Sequence, residues 1–150
     1  MPGFKYRMQN ILDIKIKLET QAKNEFAMAA AALREEEEKL QNLEERRIGY
    51  IDAMREAEND KLNVKRIIEL KNSIETMKSL IRTQMFAVQK AQRAVEAARA
   101  KLNAVMQERK THENLKERDF EIFKKELAAD EAKQIDQLVS FTYNNKDKAE

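Results

Sequence analysis

Cysteine is missing from this 150-residue sequence, which excludes disulfides, cysteine-ligated zinc and thiol catalysis together and fits a reducing compartment. Proline occurs once and glycine twice, so the two strongest helix breakers are nearly absent. Aromatic residues make up only 6%, too few for an ordinary globular core. Neither charge sign dominates: 29 Lys and Arg oppose 27 Asp and Glu, interspersed along the chain and leaving a net +2. No basic run or face of the kind that holds phosphates is evident, so nucleic acid is not an expected partner. Long apolar runs are lacking too. None approaches the length of a membrane span, and the opening MPGFKYRMQN has no signal-peptide core, so a soluble cytoplasmic protein is expected.

What is present is charge, at 37%, and an apolar fraction of 42% set at regular spacing. That spacing allows enough burial to argue against disorder. From about Phe4 to about Glu58 apolar residues recur at three- and four-residue steps. Ile11, Leu18, Ala22, Ala29, Leu33, Leu40, Leu43, Tyr50, Met54 and Ala57 form one stripe, with Leu12 and Phe26 on its shoulder. Glu36 and Arg47 interrupt it. The run Glu35 to Glu38 reads as a solvated face supported by pairs such as Glu35 and Lys39 at helical spacing.

The later pattern is stricter. Ile67, Leu70, Ile74, Met77, Ile81, Gln84, Val88, Ala91, Val95, Ala98, Leu102 and Val105 alternate steps of three and four. This is the heptad signature, because a 3.5-residue repeat keeps a narrow seam facing one partner helix. Leu33 and Leu40 on the first segment and Ile81, Val88, Val95 and Leu102 on the second are the expected seam of a coiled coil. The same count then reaches Arg109 and His112, and the apolar stripe resumes shifted at Phe120, Phe123, Leu127 and Leu138, which reads as a stutter. Small residues at Ala22, Ala29, Ala91 and Ala98 let two backbones approach closely.

Asn and Asp favour caps and turns, so Asn59-Asp60 ends the first helix and Asn63 or Asp60 caps the next. Asn72-Ser-Ile-Glu75 offers a further capping box and a possible break. Gly49 lies inside a strong pattern and marks a close contact or a weak point rather than a terminus.

Two antiparallel arrangements fit. A simple hairpin turning near residue 60 pairs Ala22 and Ala29 with Ala98 and Ala91 but leaves the chain after about Leu115 without a partner. Exposing Ile135, Leu138, Phe141 and their neighbours forgoes roughly 1.5–3 kcal/mol each. The favoured arrangement therefore brings both chain ends together, Met8, Ile11 and Ile14 meeting Phe141, Leu138 and Ile135. It divides one coiled-coil domain, 1–150, into a long helix over about 4–58, a tip of short helices over about 59–90, a second long helix over about 91–142 and a frayed end over 143–150. About 53 residues at ~1.5 Å each give a rod on the order of 80 Å. A homodimer of long helices is the rival assembly.

Chemistry has little foothold. A catalytic site needs convergent groups in a shielded cleft, and paired helices offer none. His112, the single histidine, reads as a polar residue tolerated at the stutter, and the glycines form no phosphate loop. No cofactor, metal or catalytic residue is expected.

The segments FKYRMQNILDIK (4–15), EEKLQNL (37–43), IETMKSLI (74–81), LKERD (115–119) and QIDQL (134–138), in this order and spacing, resemble the flagellar export protein FliJ over nearly the whole chain. The resemblance implies an elongated all-α antiparallel coiled coil similar to the central stalk of rotary ATPases. It implies no enzyme but a stalk and adaptor of the flagellar type III export apparatus, at the cytoplasmic face of the inner membrane and held there through partners. Those partners would be the hexameric export ATPase, the cytoplasmic domain of the export gate, and export chaperones. By position, gate contacts fall on Leu43, Tyr50, Met77 and Leu80, while Lys39, Arg46, Ser73 and Gln84 stand where some members carry other residues. The end toward the ATPase ring would carry Met8, Ile11, Ile14, Ile135, Leu138 and Phe141. A generic or injectisome-type coiled-coil adaptor is the alternative.

Overall fold

The structure, a computed structural model, describes residues 3–59 and 63–149. Two long helices, α1 (Gln9–Asn59) and α2 (Val64–Ala149), pack antiparallel, and the described residues contain no strand. The all-α antiparallel two-helix class read from the periodicity is thus the observed one. Helix α1 is described as far as Asn59, the first residue of the end expected at Asn59-Asp60. The start of α2 is capped as expected: the Asn63 side-chain oxygen accepts the Arg66 backbone N–H at 3.2 Å, and Ile67 N–H bonds the Asn63 carbonyl. Asp60, the other candidate cap, lies outside the described residues.

Helix α2 then runs unbroken. The short helices expected at a tip between 58 and 90 are not formed among the described residues. The expected break at Asn72 and Ser73 fails for a local reason: Ser73 donates its hydroxyl to the Glu69 carbonyl and Thr76 donates to that of Asn72, both at 3.0 Å. These side chains bond back along the helix instead of capping a new one. At the other end, α2 stays helical through Ala149, beyond the frayed start expected at residue 143.

The chain forms two compact units, one of Met1–Glu19 with Val105–Glu150 and one of Thr20–Ala104. In the second unit Glu25 pairs with Lys101 at 2.9 Å, Arg99 lies over the Phe26 ring at 5.7 Å, and Gln84 bonds Glu36. In the first, Lys15 pairs with Glu108 at 2.7 Å and Phe4 packs on Phe120 and Phe123 at 5.1 and 5.4 Å between ring centroids. Each set belongs to the hairpin that turns near residue 60, so the favoured register is corrected.

The expected contacts of Met8, Ile11 and Ile14 with Phe141, Leu138 and Ile135 are not made. Residue 135 lies about 40 Å beyond Glu108 along α2, at ~1.5 Å per residue. The physical reason lies in the charges. Continued along the helices, the rejected register sets Glu19 opposite Asp130 and Glu36 opposite Glu113, carboxylate against carboxylate. The observed one gives each a donor. Its consequence is an overhang: from Ala128 to Lys146 every residue of α2 is exposed.

The seam itself follows heptad arithmetic. On α2 every member from Ile67 to Val105 is buried or half-buried, and so are Arg109, His112 and Lys116 at the continued steps. On α1 the observed frame is Leu12, Lys15, Glu19, Ala22, Phe26, Ala29, Leu33, Glu36, Leu40, Leu43, Arg47, Tyr50, Met54 and Ala57, all buried or half-buried. Leu12 and Phe26 therefore sit on the seam and not on its shoulder, while Ile11 and Leu18, taken for stripe residues, are exposed.

Gly49 has no atom within 4 Å of the place a Cβ would occupy, so it marks a weak point and no close contact. Gly49→Ala should stabilise the helix by about 1 kcal/mol, read as a raised thermal midpoint. The register has its own check, since native cysteine is absent. Oxidation should join Glu25→Cys to Lys101→Cys efficiently and leave Ile11→Cys with Leu138→Cys unjoined, as read on a denaturing gel.

Candidate functional site

Three places on the two helices hold side chains outside the apolar packing. The first is a groove in the second unit, where α1 contributes Arg46, Gly49, Tyr50 and Ala53 and α2 contributes Leu70 and Ser73. Gly49 keeps its floor open because no side chain projects there. Of the expected gate contacts, Tyr50 lines this groove, Leu43 is half-buried in the seam, and Leu80 is 44% exposed on the flank of α2. Met77 is only 4% exposed. It is a packing residue, as its place in the heptad count requires.

The second place is the overhang of α2 in the first unit. Ile135, Leu138, Val139, Phe141 and Tyr143 are each at least 60% exposed. Leu138, Val139, Thr142 and Tyr143 recur at helical spacing and, with Lys146, line one shallow depression. Met8, Ile11 and Ile14, expected at the same end, are also exposed on α1. The six residues read as a ring-facing end thus lie in one unit, but the two groups of three do not pack on each other.

The third is polar and lies within the seam. In the second unit the Gln84 side-chain amide donates to the Glu36 carbonyl at 2.9 Å and to its carboxylate at 2.5 Å. This bond, helped by Lys39 and opposed by partial burial, holds the Glu36 carboxyl below its usual value. In the first unit Glu19, 6% exposed, forms an ion pair with the half-buried Arg109, whose Nη1 also donates to Glu113 at 2.7 Å. The Glu113 bond above all, with Glu19 behind it, raises the Arg109 guanidinium above its usual value against the effect of burial. Beside it, Lys15 lowers the Glu108 carboxyl by hydrogen bond and charge. His112 sits on the seam, its Nδ1 buried and without a hydrogen-bond partner among the described residues.

Glu19 escaped the apolar count. Its signal was positional: the strict alternation on α1 passes through residue 19, and the same alternation on α2 passes through residue 109. The described residues contain no cluster of three or more His, Cys, Asp or Glu placed to hold a metal ion. Among the described residues no helix is long and apolar enough to cross a membrane. What the geometry offers is exposed apolar surface beside a polar-keyed seam.

The family model described as Flagellar FliJ protein matches residues 4–148. No curated protein sequence matches the chain. Among solved structures, that of a YscO homolog from Chlamydia trachomatis is similar in fold, with a TM-score of 0.73 at 20% identity, covering 99% of this chain and 100% of the other.

The acid response of the seam can be checked. The folded-state values of Glu36 and Glu108 lie below the ordinary 4.5. Their ionised forms therefore favour the folded state above that pH, and this stability is lost as pH falls through the lower folded values. The urea midpoint should drop between about pH 5 and about pH 3, and less steeply in Gln84→Leu, which removes the donor that lowers Glu36.

Proposed function

The chain belongs to the flagellar FliJ family, and from that membership we propose a stalk and adaptor role that joins the hexameric flagellar export ATPase to the cytoplasmic domain of the export gate and escorts export chaperones. Coarsely, it is a coiled-coil protein associated with type III secretion, of a family of structural and adaptor proteins. The proposed place of action is the cytoplasmic face of the inner membrane, reached through these partners.

The observation that carries the reading is the division of labour along the helices. The seam is consumed by packing, yet large apolar side chains remain exposed on the overhang, Leu138 and Phe141 among them at 66% and 64%. A helix in water that leaves such residues uncovered loses the burial energy they could supply, which a partner can recover. We assign the overhang, with Met8, Ile11 and Ile14, to the ATPase ring. The gate takes the groove around Tyr50 and the flank at Leu80, while Leu43 and Met77 support that surface from the seam. Charges of both signs on the outward faces keep the remainder soluble and non-adhesive.

Binding of the purified chain to the cognate export ATPase and to the gate's cytoplasmic domain tests the assignment. Leu138→Asp should weaken ATPase binding about tenfold or more and spare the gate, and Leu80→Asp should do the reverse. Val95→Asp should lose both together with helicity, because it places an unpaired charge in the seam. A chain that is folded but binds neither partner ends the proposal.

A further inference from the structure

The charges, mixed in the bulk count, are sorted between the helices of the second unit. From Thr76 to Val95, α2 contains Lys78, Arg82, Lys90 and Arg93 and not one Asp or Glu. On α1 of the same unit stand Glu35, Glu37, Glu38, Glu44 and Glu45, all exposed. The absence of a basic face read from composition is therefore corrected: the face exists, but summing the whole chain hides it.

Lys78, Arg82, Phe86, Lys90 and Arg93 follow one another at steps of four, four, four and three, which places them on one ridge of the helix. All five are exposed. Phe86, at the centre, is 66% exposed, and Met85 beside it is 49% exposed. These two lie outside the heptad seam, so the α1–α2 packing does not explain them. Lys78 pairs with Glu75 at 3.3 Å, whereas Arg82, Lys90 and Arg93 have no ion pair among the described residues. From Arg82 to Arg93 the ridge spans about 17 Å, or three turns of a helix laid along it.

We propose that this ridge of α2, centred on Phe86, docks an acidic amphipathic helix of a partner protein. The arrangement is that of a binding hot spot, an aromatic anchor ringed by polar groups that exclude water. The uncompensated cations select a negative partner and speed its approach. A membrane surface fits less well, because an interfacial helix needs a broad apolar stripe and this one has two large apolar residues. Single-stranded nucleic acid takes rows of stacking aromatics, and here there is one. A second copy could offer its Glu35–Glu38 run, but basic side on acidic side is a heterologous contact that does not close. The proposal does not depend on the ATPase and gate assignments.

The test uses the full chain and a synthetic helix of Leu at i, i+3, i+4 and i+7 with Glu elsewhere, labelled for anisotropy. Its counterparts are the same peptide with Lys for Glu, vesicles of phosphatidylserine, and a single-stranded oligonucleotide. The Glu peptide should bind in a salt-dependent way and the Lys peptide should not. Arg82→Glu with Lys90→Glu, and separately Phe86→Ala, should each weaken binding about tenfold or more at unchanged helicity. Reversal of the exposed Lys17 and Lys110 to Glu should leave it unchanged. The proposal is overturned by absence of Glu-peptide binding, by equal affinity in the ridge variants, by tighter binding to vesicles or oligonucleotide, or by self-association in sedimentation that the ridge variants abolish.

Discussion

The structure depends on polar groups placed in an apolar seam and matched across it. A heptad repeat of Leu, Ile, Val and Ala is nearly indifferent to a slip of seven residues, since each apolar side chain finds another. Glu36 is not indifferent. One heptad away in either direction it would meet Met77 or Ala91 instead of Gln84, and its carboxylate would lose the amide that bonds it. Glu19 would likewise exchange Arg109 for Leu102 on one side. Isolated charges in low dielectric are costly, whereas a shifted apolar contact costs little, so these few residues select among registers that the apolar ones leave close in energy. Each compact unit contains one such match.

That ordering of costs also explains the overhang. Leaving Ile135, Leu138 and Phe141 in water forgoes a gain but creates no penalty beyond the loss. Setting carboxylate against carboxylate inside a seam creates one. The chain accepts unburied apolar surface near its end and keeps its buried charges satisfied. In a lone globular domain that surface would be a defect. Here it is burial energy that packing within the chain leaves unused.

Much of this was legible beforehand, and the failures are specific. The α2 seam could be read from steps of three and four through His112, because a coiled-coil repeat is enforced over many turns and leaves a long signal. The α1 seam differs from the apolar count at three points: apolar Ile11 and Leu18 stand beside the true members Leu12 and Glu19, and Phe26 is on the seam and not on its shoulder. Following hydrophobicity alone misses a polar seam member by construction, and only strict counting finds it. Register failed for a related reason, since the area of the exposed tail was weighed and the charges facing each other were not. Tyr50 and Leu80 were placed on accessible surface and Met77 was not, which its heptad position already indicated. The basic ridge was invisible to a whole-chain sum, because the sum merges an acid-free stretch of α2 with a glutamate-rich stretch of α1.

Register links the seam to the surfaces. A slip of one heptad would move α2 past α1 by about 10 Å at ~1.5 Å per residue. Arg46 and Tyr50 would then part from Leu70 and Ser73, and the groove they form would be lost, though the apolar seam would pack almost as well. Exposed groups on one helix, such as Phe86 and its cations, would keep their spacing whatever the register. Glu36–Gln84 does not line the groove, yet it holds it in place. A single polar pair in a two-helix protein can therefore decide which side chains of the two helices share a groove.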